Sequence, residues 1–360
     1  MPKVVLKFGG SSVGDRENFF DENHMIRVAN TIKRKKDEGN QVVVVISAMA
    51  GETRNLKEMS QLMSRESRLD EEDIVLAAGE QISAGLLSKL LNSDRFNQKA
   101  KAFLGWQLPI LTNDEHGMAQ ITYIDTKKIE ECLENDIIPI IAGFQGITKD
   151  GRITTLGFDG SDTTAVAVAG YLKADCCYFY KDVRGVYSAN PRRVPKASKI
   201  EELSLEEMYV LSSLGARILH PVSINTAMDY NINLRLLPNF LDDESGTLIK
   251  NTDFKKDIAG ITYYEHSPNE ITISVVGRKI GARDGEKIIQ KLNKNKIFAQ
   301  VVKTEFDNMS VTVEIGWAEQ LDTALCAIHS LYGLDNEIVI PRAFNGDGKQ
   351  IYKDPAIGTM

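Results

Sequence analysis

The sequence has few of the residues from which disulfide scaffolds and zinc sites are built. It contains four cysteines in 360 residues, Cys132, Cys176, Cys177 and Cys326. Two of them are adjacent, and no Cys-x-x-Cys pair or Cys/His ligand spacing occurs, so neither a disulfide framework nor a zinc site is expected. We therefore expect a protein of a reducing compartment, the cytoplasm.

Long apolar runs and an excess of positive charge are also absent. No apolar run approaches the roughly 20 residues that span a bilayer, and the first residues lack the apolar stretch and cleavage site of a signal peptide. The chain has 43 Lys and Arg against 50 Asp and Glu, for a net charge of -7, whereas nucleic-acid binders usually carry a basic footprint. We expect a soluble protein of about two domains, with neither membrane nor nucleic acid as a partner.

Common catalytic signatures are missing as well. There is no GxxxxGK[ST] phosphate loop, no GxGxxG after a strand, no HExxH and no protein-kinase signature. None of the histidines is paired in sequence with a plausible nucleophile: His24, His116, His220, His266 and His329. Acid–base or catalytic-triad chemistry therefore has little support.

The first two-thirds of the chain alternates short β-branched runs with helical patterns. Strands are predicted at 3–8, 42–46, 137–142, 176–180 and 232–237, and helices at 18–36, 71–91, 162–172 and 205–214. The continuous apolar run at 42–46 is typical of a strand covered by helices on both faces. The alternation predicts an α/β fold of three layers, αβα, with a mainly parallel sheet.

The pattern changes after residue 250. Strands are predicted at 271–276, 297–303, 309–315 and 337–340, and helices at 285–292 and 318–331. This βαββαβ order is the ferredoxin-like unit. We predict a catalytic domain at 1–250, a second domain at 257–345 and a loosely held tail at 346–360.

The first candidate ligand-binding segment directly follows the first strand. Gly9 and Gly10 let the backbone approach a phosphate closely, and Lys7 supplies a positive charge for its oxygens. Ligands of open α/β sheets gather at the carboxyl ends of the strands, where this segment lies. A tight strand-to-helix turn with an exposed lysine is an equally good interpretation of the segment alone.

The second candidate segment is 156–165, which begins a helix of small residues. Ser161 or Asp162 is predicted to cap that helix, whose first-turn amides and positive dipole end favour an anion. Many such caps bind nothing. The presence of a second anion-receptive turn in the same sheet favours a binding site for a triphosphate.

The third candidate segment is the loop at 180–195. A strand ends in Asp182, and the loop then offers Tyr187, two prolines and the paired Arg192 and Arg193. Such a loop suits the base and polyphosphate of a nucleotide. A solvated basic loop remains the alternative interpretation.

Taken in order, these segments resemble the aspartokinase family of the amino-acid-kinase superfamily. The matching segments are KFGGSSV (7–13), SAMAGET (47–53), Gly79-Glu80, GSDTTA (160–165), DVRGVY (182–187), LSLEEM (203–208), LGARILHP (214–221) and GTLI (246–249). One such segment alone is weak support, whereas the ordered set is specific. The βαββαβ unit looks like the ACT regulatory domain that follows the kinase in this family.

The resemblance implies ATP- and Mg²⁺-dependent phosphorylation of the side-chain carboxylate of L-aspartate to 4-phospho-L-aspartate. It implies catalytic roles for Lys7 and Asp162, with Asp162 orienting Lys7 or the metal shell. The ATP and phosphate site would comprise Lys7, Phe8, Gly9, Gly10, Ser161, Lys181, Asp182, Tyr187, Arg192 and Arg217. The substrate site would comprise Thr53, Glu80, Phe158 and Ser161, with Glu80 receiving the amino group. No resident metal site is expected, because ATP carries the Mg²⁺.

The sequence departs from the family at the substrate site. The family usually reads Leu-Gly-Arg-Gly-Gly-Ser-Asp, and here Phe158 and Asp159 stand in place of its Arg and second Gly. That arginine clamps the α-carboxylate of aspartate, and phenylalanine cannot form the bidentate contact. Either another residue such as Arg152 reaches in, or the acceptor is another amino-acid-like acid, amidated, decarboxylated or otherwise modified. Milder changes place Arg217 where lysine is usual and Asn190 where aspartate is usual.

A third alternative is a regulatory protein without catalysis, which the matching Lys7 and Asp162 disfavour. After Ile249 the chain has room for about one ACT unit, where most members of the family have two. Its loop at 277–285 lies where ACT domains bind amino acids, although a solvated basic loop is at least as good an interpretation. ACT domains commonly pair by sheet extension, so the resemblance implies a homodimer through this domain.

Overall fold

A computed structural model of the chain describes residues 1–14, 20–64, 69–239, 246–253, 257–306 and 309–335. The strands up to residue 250 are β1 (Lys3–Phe8), β2 (Gln41–Ile46), β3 (Ala100–Phe103), β4 (Ile110–Thr112), β5 (Ile121–Ile124), β6 (Ile138–Ala142), β7 (Gln145–Ile147), β8 (Ile153–Thr155), β9 (Cys176–Lys181), β10 (Val186–Tyr187), β11 (Lys199–Ile200), β12 (Glu202–Ser204), β13 (Leu234–Pro238) and β14 (Thr247–Lys250). The helices of the same part are α1 (Gly10–Val13), α2 (Glu22–Asp37), α3 (Glu52–Met63), α4 (Leu69–Leu76), α5 (Ala78–Leu91), α6 (Lys127–Glu134), α7 (Gly160–Tyr171), α8 (Leu205–Ser213) and α9 (Pro221–Tyr230).

An eight-stranded sheet organises this part of the chain, in the order β12-β14-β13-β9-β1-β2-β6-β3. Strand β1 runs parallel to both β2 and β9, whereas β13 and β14 are antiparallel. The register places Lys7 between Val45 on β2 and Phe179 on β9. The carboxyl ends of β1, β2 and β9 therefore meet at one edge of the sheet. The predicted mainly parallel sheet is confirmed.

Helices cover both faces of this sheet, because successive residues of its central strands point to opposite sides. Val45 belongs to a core that includes residues of α7, whereas Val44 and Ile46 belong to a core formed with α2 and α5. This two-sided burial explains the uninterrupted apolar run at 42–46. The predicted αβα layering is confirmed.

The helix predicted at 71–91 is divided in the structure. It consists of α4 and α5, separated at Ala77, whose carbonyl accepts a hydrogen bond of 3.0 Å from the Gln145 side chain. By length and composition alone, Leu69–Leu91 would qualify as a membrane span. Ala84, Leu87 and Leu91 are buried in the core under the sheet, as expected for the core helix of a folded domain.

The C-terminal part forms a four-stranded antiparallel sheet with two helices. Its elements are β15 (Ile258–Ser267), β16 (Glu270–Gly277), α10 (Ala282–Lys294), β17 (Ala299–Glu305), β18 (Ser310–Ile315), a 3-10 turn (Ala318–Gln320) and α11 (Leu321–Leu331). The strand order is β15-β16-β18-β17. The predicted succession from β16 to α11 is confirmed, and the strand predicted at 337–340 lies outside the described residues.

Strand β15 was not predicted, since Gly260 weakens its strand pattern. That glycine allows a close approach to the first part of the chain. A Cβ atom on Gly260 would lie 3.4 Å from the Ser188 carbonyl oxygen, and the neighbouring Ile261 amide donates to the same oxygen at 2.8 Å. The β15 strand thereby connects the two parts of the structure.

Candidate active site

Three charged side chains meet at the carboxyl edge of the large sheet. Lys7, at the end of β1, lies with its Nζ 2.5 Å from Oδ1 of Asp162 in the first turn of α7. Lys181, the last residue of β9, lies with its Nζ 2.7 Å from Oδ2 of the same carboxylate. Asp162 is fully buried, and Lys7 is nearly so. One carboxylate therefore holds two ammonium groups, one on each oxygen.

Burial and mutual contact shift the protonation equilibria of these groups in different directions. Burial lowers the pKa of Lys7, although Asp162 opposes this effect. Burial would also lower the pKa of Lys181, but the contact with Asp162 outweighs it and the pKa is raised. Burial alone would raise the pKa of Asp162, but Lys181 and Lys7 reverse this and the pKa is lowered. The cluster is therefore ionic, with a carboxylate held between cations.

The backbone before α7 turns sharply to bring Asp162 to this position. Gly157 has a φ of +74°, and Asp159 occupies the N-cap position with a left-handed φ of 54°. A Cβ atom on Gly160 would lie 2.7 Å from that of Leu156, so only glycine fits there. The prediction that Ser161 or Asp162 caps the helix is wrong. The helix begins earlier, at Gly160, so the Asp162 side chain is free to pair with the lysines.

Ser161 joins α7 to the neighbouring strand instead. Its hydroxyl lies 2.7 Å from that of Ser47, directly after β2, and both side chains are buried. Ser47 belongs to a segment that matched the aspartokinase pattern, but it was not predicted as a site residue. Its place after a buried parallel strand was the signal that could have identified it.

The glycine pair after β1 lies close to other protein atoms. A Cβ atom on Gly9 would lie 3.4 Å from Lys7 Nζ, and one on Gly10 would lie 3.0 Å from the Ala48 carbonyl oxygen. The Phe8 side chain is buried and stacks on Tyr180 with 4.8 Å between ring centroids. The Phe8 ring is therefore part of the packed interior.

Glu80 on α5 is a buried carboxylate with one free oxygen. Its Oε1 accepts a hydrogen bond of 3.0 Å from the Ala48 amide, whereas Oε2 is buried and has no hydrogen-bond partner. Burial raises the pKa of Glu80 to about 7. Glu52, which sequence reasoning did not single out, is also buried, and desolvation raises its pKa. Thr53 follows it, half-buried in the first turn of α3.

Phe158, which stands where the family has arginine, and Arg152, its suggested replacement, are both exposed. Phe158 is 82% exposed, and its ring centroid is 6.2 Å from that of His220. Arg152 Nε donates to Asp150 at 3.0 Å in the turn between β7 and β8. In this structure Arg152 is therefore engaged within its own turn. Desolvation and the charge of Asp162 raise the pKa of Asp159, next to Phe158.

The residues predicted to hold the nucleotide fall into two groups. Lys181 lies in the charged cluster, and the exposed Asp182 follows it. Tyr187 packs against the C-terminal core, and the Arg217 guanidinium lies 5.5 Å from the ring centroid of Tyr264 on β15. These two side chains therefore contact the C-terminal sheet.

The loop after β10 also enters the C-terminal part. Ala189, Val194 and Ala197 belong to the hydrophobic core of the small sheet. The Arg192 side chain is exposed, while its amide donates to the Asn190 side chain at 3.0 Å. The loop predicted to bind the nucleotide is thus also the loop on which the C-terminal part rests.

Among the described residues, no group of three or more His, Cys, Asp and Glu side chains is arranged to hold a metal ion. Both oxygens of the Asp162 carboxylate contact ammonium groups.

Comparison of the sequence with known families gives a match over most of the first part. The profile described as the amino acid kinase family matches residues 2–237. The chain is 38% identical over 316 residues to an aspartokinase of Rickettsia conorii, covering 87% of this chain and 77% of that protein. It is 37% identical over 338 residues to an aspartokinase of Geobacillus stearothermophilus, covering 92% and 80%. A Rickettsia bellii aspartokinase is 43% identical over 269 residues, but that match spans 64% of its length.

Solved structures share the fold. Aspartokinase III of E. coli, crystallised with aspartate and ADP, superposes with a TM-score of 0.75 at 18% identity, covering 91% of this chain and 99% of that one. Aspartate kinase from Synechocystis superposes with a TM-score of 0.61 at 30% identity, covering 90% of this chain and 54% of that one. The arrangement of the large parallel sheet and the small antiparallel sheet is therefore a known one.

Proposed function

The chain belongs to the aspartokinases of the amino acid kinase family, and on that basis we propose that it transfers the γ-phosphoryl group of ATP to the side-chain carboxylate of L-aspartate. The product is 4-phospho-L-aspartate. The observation that carries the proposal is the pairing of Lys7 and Lys181 with the buried Asp162 at the carboxyl edge of the sheet.

This cluster suits phosphoryl transfer to a carboxylate. The acceptor is already ionised near neutral pH, so no protein group has to remove a proton from it. A carboxylate oxygen forms the new bond to phosphorus, the bond to the β,γ-bridging oxygen breaks, and its electron pair leaves on ADP. The protein's task is alignment and neutralisation of negative charge. Lys7 and the amides of Gly9 and Gly10 meet this need.

Glu80 suits the amino group of the acceptor. Its unpartnered Oε2 is costly to bury unless a ligand completes its hydrogen bonding. An ammonium group supplies both the donor and the compensating charge. Thr53 would bind a substrate oxygen, and Ser161 would bridge the substrate and phosphate sites.

The nucleotide would lie between the charged cluster and the C-terminal part. We assign Asp182, Tyr187, Arg192 and Arg217 to it, with Phe8 contributing backbone. Mg²⁺ would enter as the complex with ATP. The C-terminal contacts of Tyr187 and Arg217 would then make nucleotide binding sensitive to the position of the small sheet.

Trapping of the acyl phosphate tests this function directly. The protein is incubated with ATP, Mg²⁺ and hydroxylamine, and hydroxamate is measured with aspartate and with its amidated, decarboxylated and N-modified relatives. We expect hydroxamate from aspartate, lost in the Lys7→Met variant. ADP-dependent stabilisation of the protein without hydroxamate from any acid would instead indicate a binding protein that does not catalyse.

A second candidate function is phosphorylation of a different amino-acid-like acid by the same cluster. It is favoured by the exposed Phe158 and by the pairing of Arg152 with Asp150, which leave the α-carboxylate without the expected arginine clamp. The double variant Phe158→Arg/Asp159→Gly restores the family pattern. If aspartate is the natural acceptor, its KM should change little, whereas a large gain in aspartate turnover would identify position 158 as the specificity determinant.

We further propose that 1–250 is the catalytic domain and 257–345 an ACT-like regulatory domain, followed by the tail. The protein would be cytoplasmic and would form a homodimer through the small sheet. Its edge strand β17 exposes Val301 and Val302, beside the exposed Phe298. Light scattering of the Val302→Lys variant, with Val222→Lys on α9 as control, tests this interface.

A further inference from the structure

Lys181 and Lys7 contact the same carboxylate, that of Asp162, from two neighbouring strands. The two lysines lie near the carboxyl ends of the adjacent parallel strands β9 and β1, and the Nζ of each contacts a different oxygen of Asp162. The side chain of Lys181 is 17% exposed, whereas that of Lys7 is 5% exposed. Lys181 is therefore the more accessible of the two to a ligand at the carboxyl edge of the sheet.

The charges of Lys7, Lys181 and Asp162 also indicate that Lys181 does more than neutralise Asp162. One lysine is enough to neutralise one buried carboxylate, and Lys7 already does so at 2.5 Å. The second ammonium group leaves the three contacting side chains, Lys7, Lys181 and Asp162, with an excess positive charge. Such an excess is costly in a buried site unless an anion balances it. A transferring phosphoryl group, with charge on three oxygens, is an anion of the required kind.

We propose that Lys181 is a second catalytic lysine, which contacts the transferring phosphoryl group together with Lys7, and that Asp162 holds the two ammonium groups in place for this contact. The inference rests on the proposed phosphoryl transfer and adds a specific role for Lys181 to it. In the transfer step Lys181 exchanges no proton. It stabilises the charge on the equatorial oxygens while the acceptor oxygen–phosphorus bond forms and the bond to ADP breaks.

The exposed neighbours Asp159 and Asp182 do not remove this role. Both contribute to the raised pKa of Lys181, but each contributes less than the contact with Asp162 does. The direct contact of Lys181 is with the fully buried Asp162. Lys181 therefore stays cationic and is held by Asp162 at the carboxyl edge of the sheet.

The test separates catalysis from nucleotide binding. Lys181→Met removes the charge at similar size, Lys181→Arg keeps it, and Lys89→Met on the exposed side of α5 serves as the control. Hydroxamate formation gives kcat, and calorimetry gives the dissociation constant of ADP, which lacks the transferred group. We expect Lys181→Met to lower kcat roughly 100-fold while the ADP constant changes less than about threefold. Lys181→Arg should retain far more activity, and Lys89→Met should match the wild type.

A transition-state mimic provides the second measurement. ADP with aluminium fluoride and the acceptor should bind the Lys181→Met variant more weakly by a factor similar to the loss in kcat. Unchanged kcat would overturn the proposal, as would a loss confined to ADP affinity, which would make Lys181 a nucleotide-binding residue only. If Lys181→Met lacks a cooperative unfolding transition, Lys181→Gln replaces it. The same two quantities, the fold-change in kcat and the fold-change in the ADP dissociation constant, then decide the outcome. Wild-type protein that forms no acyl phosphate refutes the proposed function itself, whereas active wild type with an unimpaired Lys181→Met refutes only this inference.

Discussion

Glu80 and Ala48 form a hydrogen bond that satisfies only half of a buried carboxylate. The Ala48 amide donates to Oε1 at 3.0 Å, while Oε2 remains buried without a hydrogen-bond partner. Gly79 makes this approach possible, since a Cβ atom there would lie 2.7 Å from that of Ala48. The arrangement holds one oxygen in place and leaves the other for a ligand.

The first prediction concerns the pH dependence of the reaction. Burial raises the pKa of Glu80 to about 7, and only the ionised form attracts an ammonium group. The kcat/KM for the acceptor, which reports on the free enzyme, should therefore rise with pH through an apparent pKa near 7. Glu80→Gln should raise KM for the acceptor roughly 10- to 100-fold, the value of a charge-assisted hydrogen bond. In the Glu80→Gln variant, kcat/KM should no longer rise with pH through this pKa. If the rise persists, another group is responsible for it.

The second prediction concerns stability. The pKa of Glu80 is raised from 4.5 when unfolded to about 7 when folded, so burial of the charge costs free energy as the pH increases between these values. The free energy of unfolding of the wild type, relative to that of Glu80→Gln, should fall by on the order of 3 kcal/mol between pH 4.5 and pH 8. Urea unfolding of both proteins at several pH values measures this difference. A constant difference would mean that Glu80 is not desolvated in solution.

The third prediction concerns the pairing of Lys7 with Asp162. Asp162→Asn leaves Lys7 buried without a counter-charge, so the free energy of unfolding should fall by about 3–5 kcal/mol. The double variant Lys7→Met/Asp162→Asn removes both buried charges and should recover part of this loss. Neither variant should retain kcat. Urea unfolding of the single and double variants measures the coupling, and additive losses would show that the two side chains do not interact in solution.

Much of the architecture follows from local patterns. The β-branched runs and the helical patterns between them predicted a mainly parallel sheet between helix layers, because strands buried on both faces must be apolar throughout. Lys7 and Asp162 were recognisable because each lies next to glycines at the beginning or end of an element. The break at Ala77 was not predicted, and in the structure the Ala77 carbonyl accepts a hydrogen bond from the Gln145 side chain, which is distant in sequence.

The parts of the site that sequence reasoning missed depend on contacts between distant segments. Lys181 was placed in the phosphate site by the resemblance, but its contact with Asp162 was not predicted, because it requires β9 to pair with β1 in a particular register. The buried Glu52 and the link between Ser47 and Ser161 likewise require the folded arrangement. Strand β15 contacts the first part of the chain at Gly260. Glycine has a low strand propensity, so the sequence pattern did not indicate a strand there.

The fourth prediction distinguishes two adjacent arginines in the loop that joins the two parts of the structure. Arg193 donates to Asp322 at 2.7 Å, to Glu265 at 3.0 Å and to the Tyr263 hydroxyl at 2.9 Å, whereas the Arg192 side chain is exposed. Arg193→Ala should therefore lower the free energy of unfolding by about 1–2 kcal/mol, because it removes contacts that anchor the small sheet. Arg192→Ala should leave stability unchanged and raise KM for ATP roughly tenfold, as expected for the loss of a phosphate contact. Thermal unfolding and steady-state kinetics on both variants measure the two effects. If both variants lose the same stability and the KM for ATP does not change, Arg192 is not part of the nucleotide site.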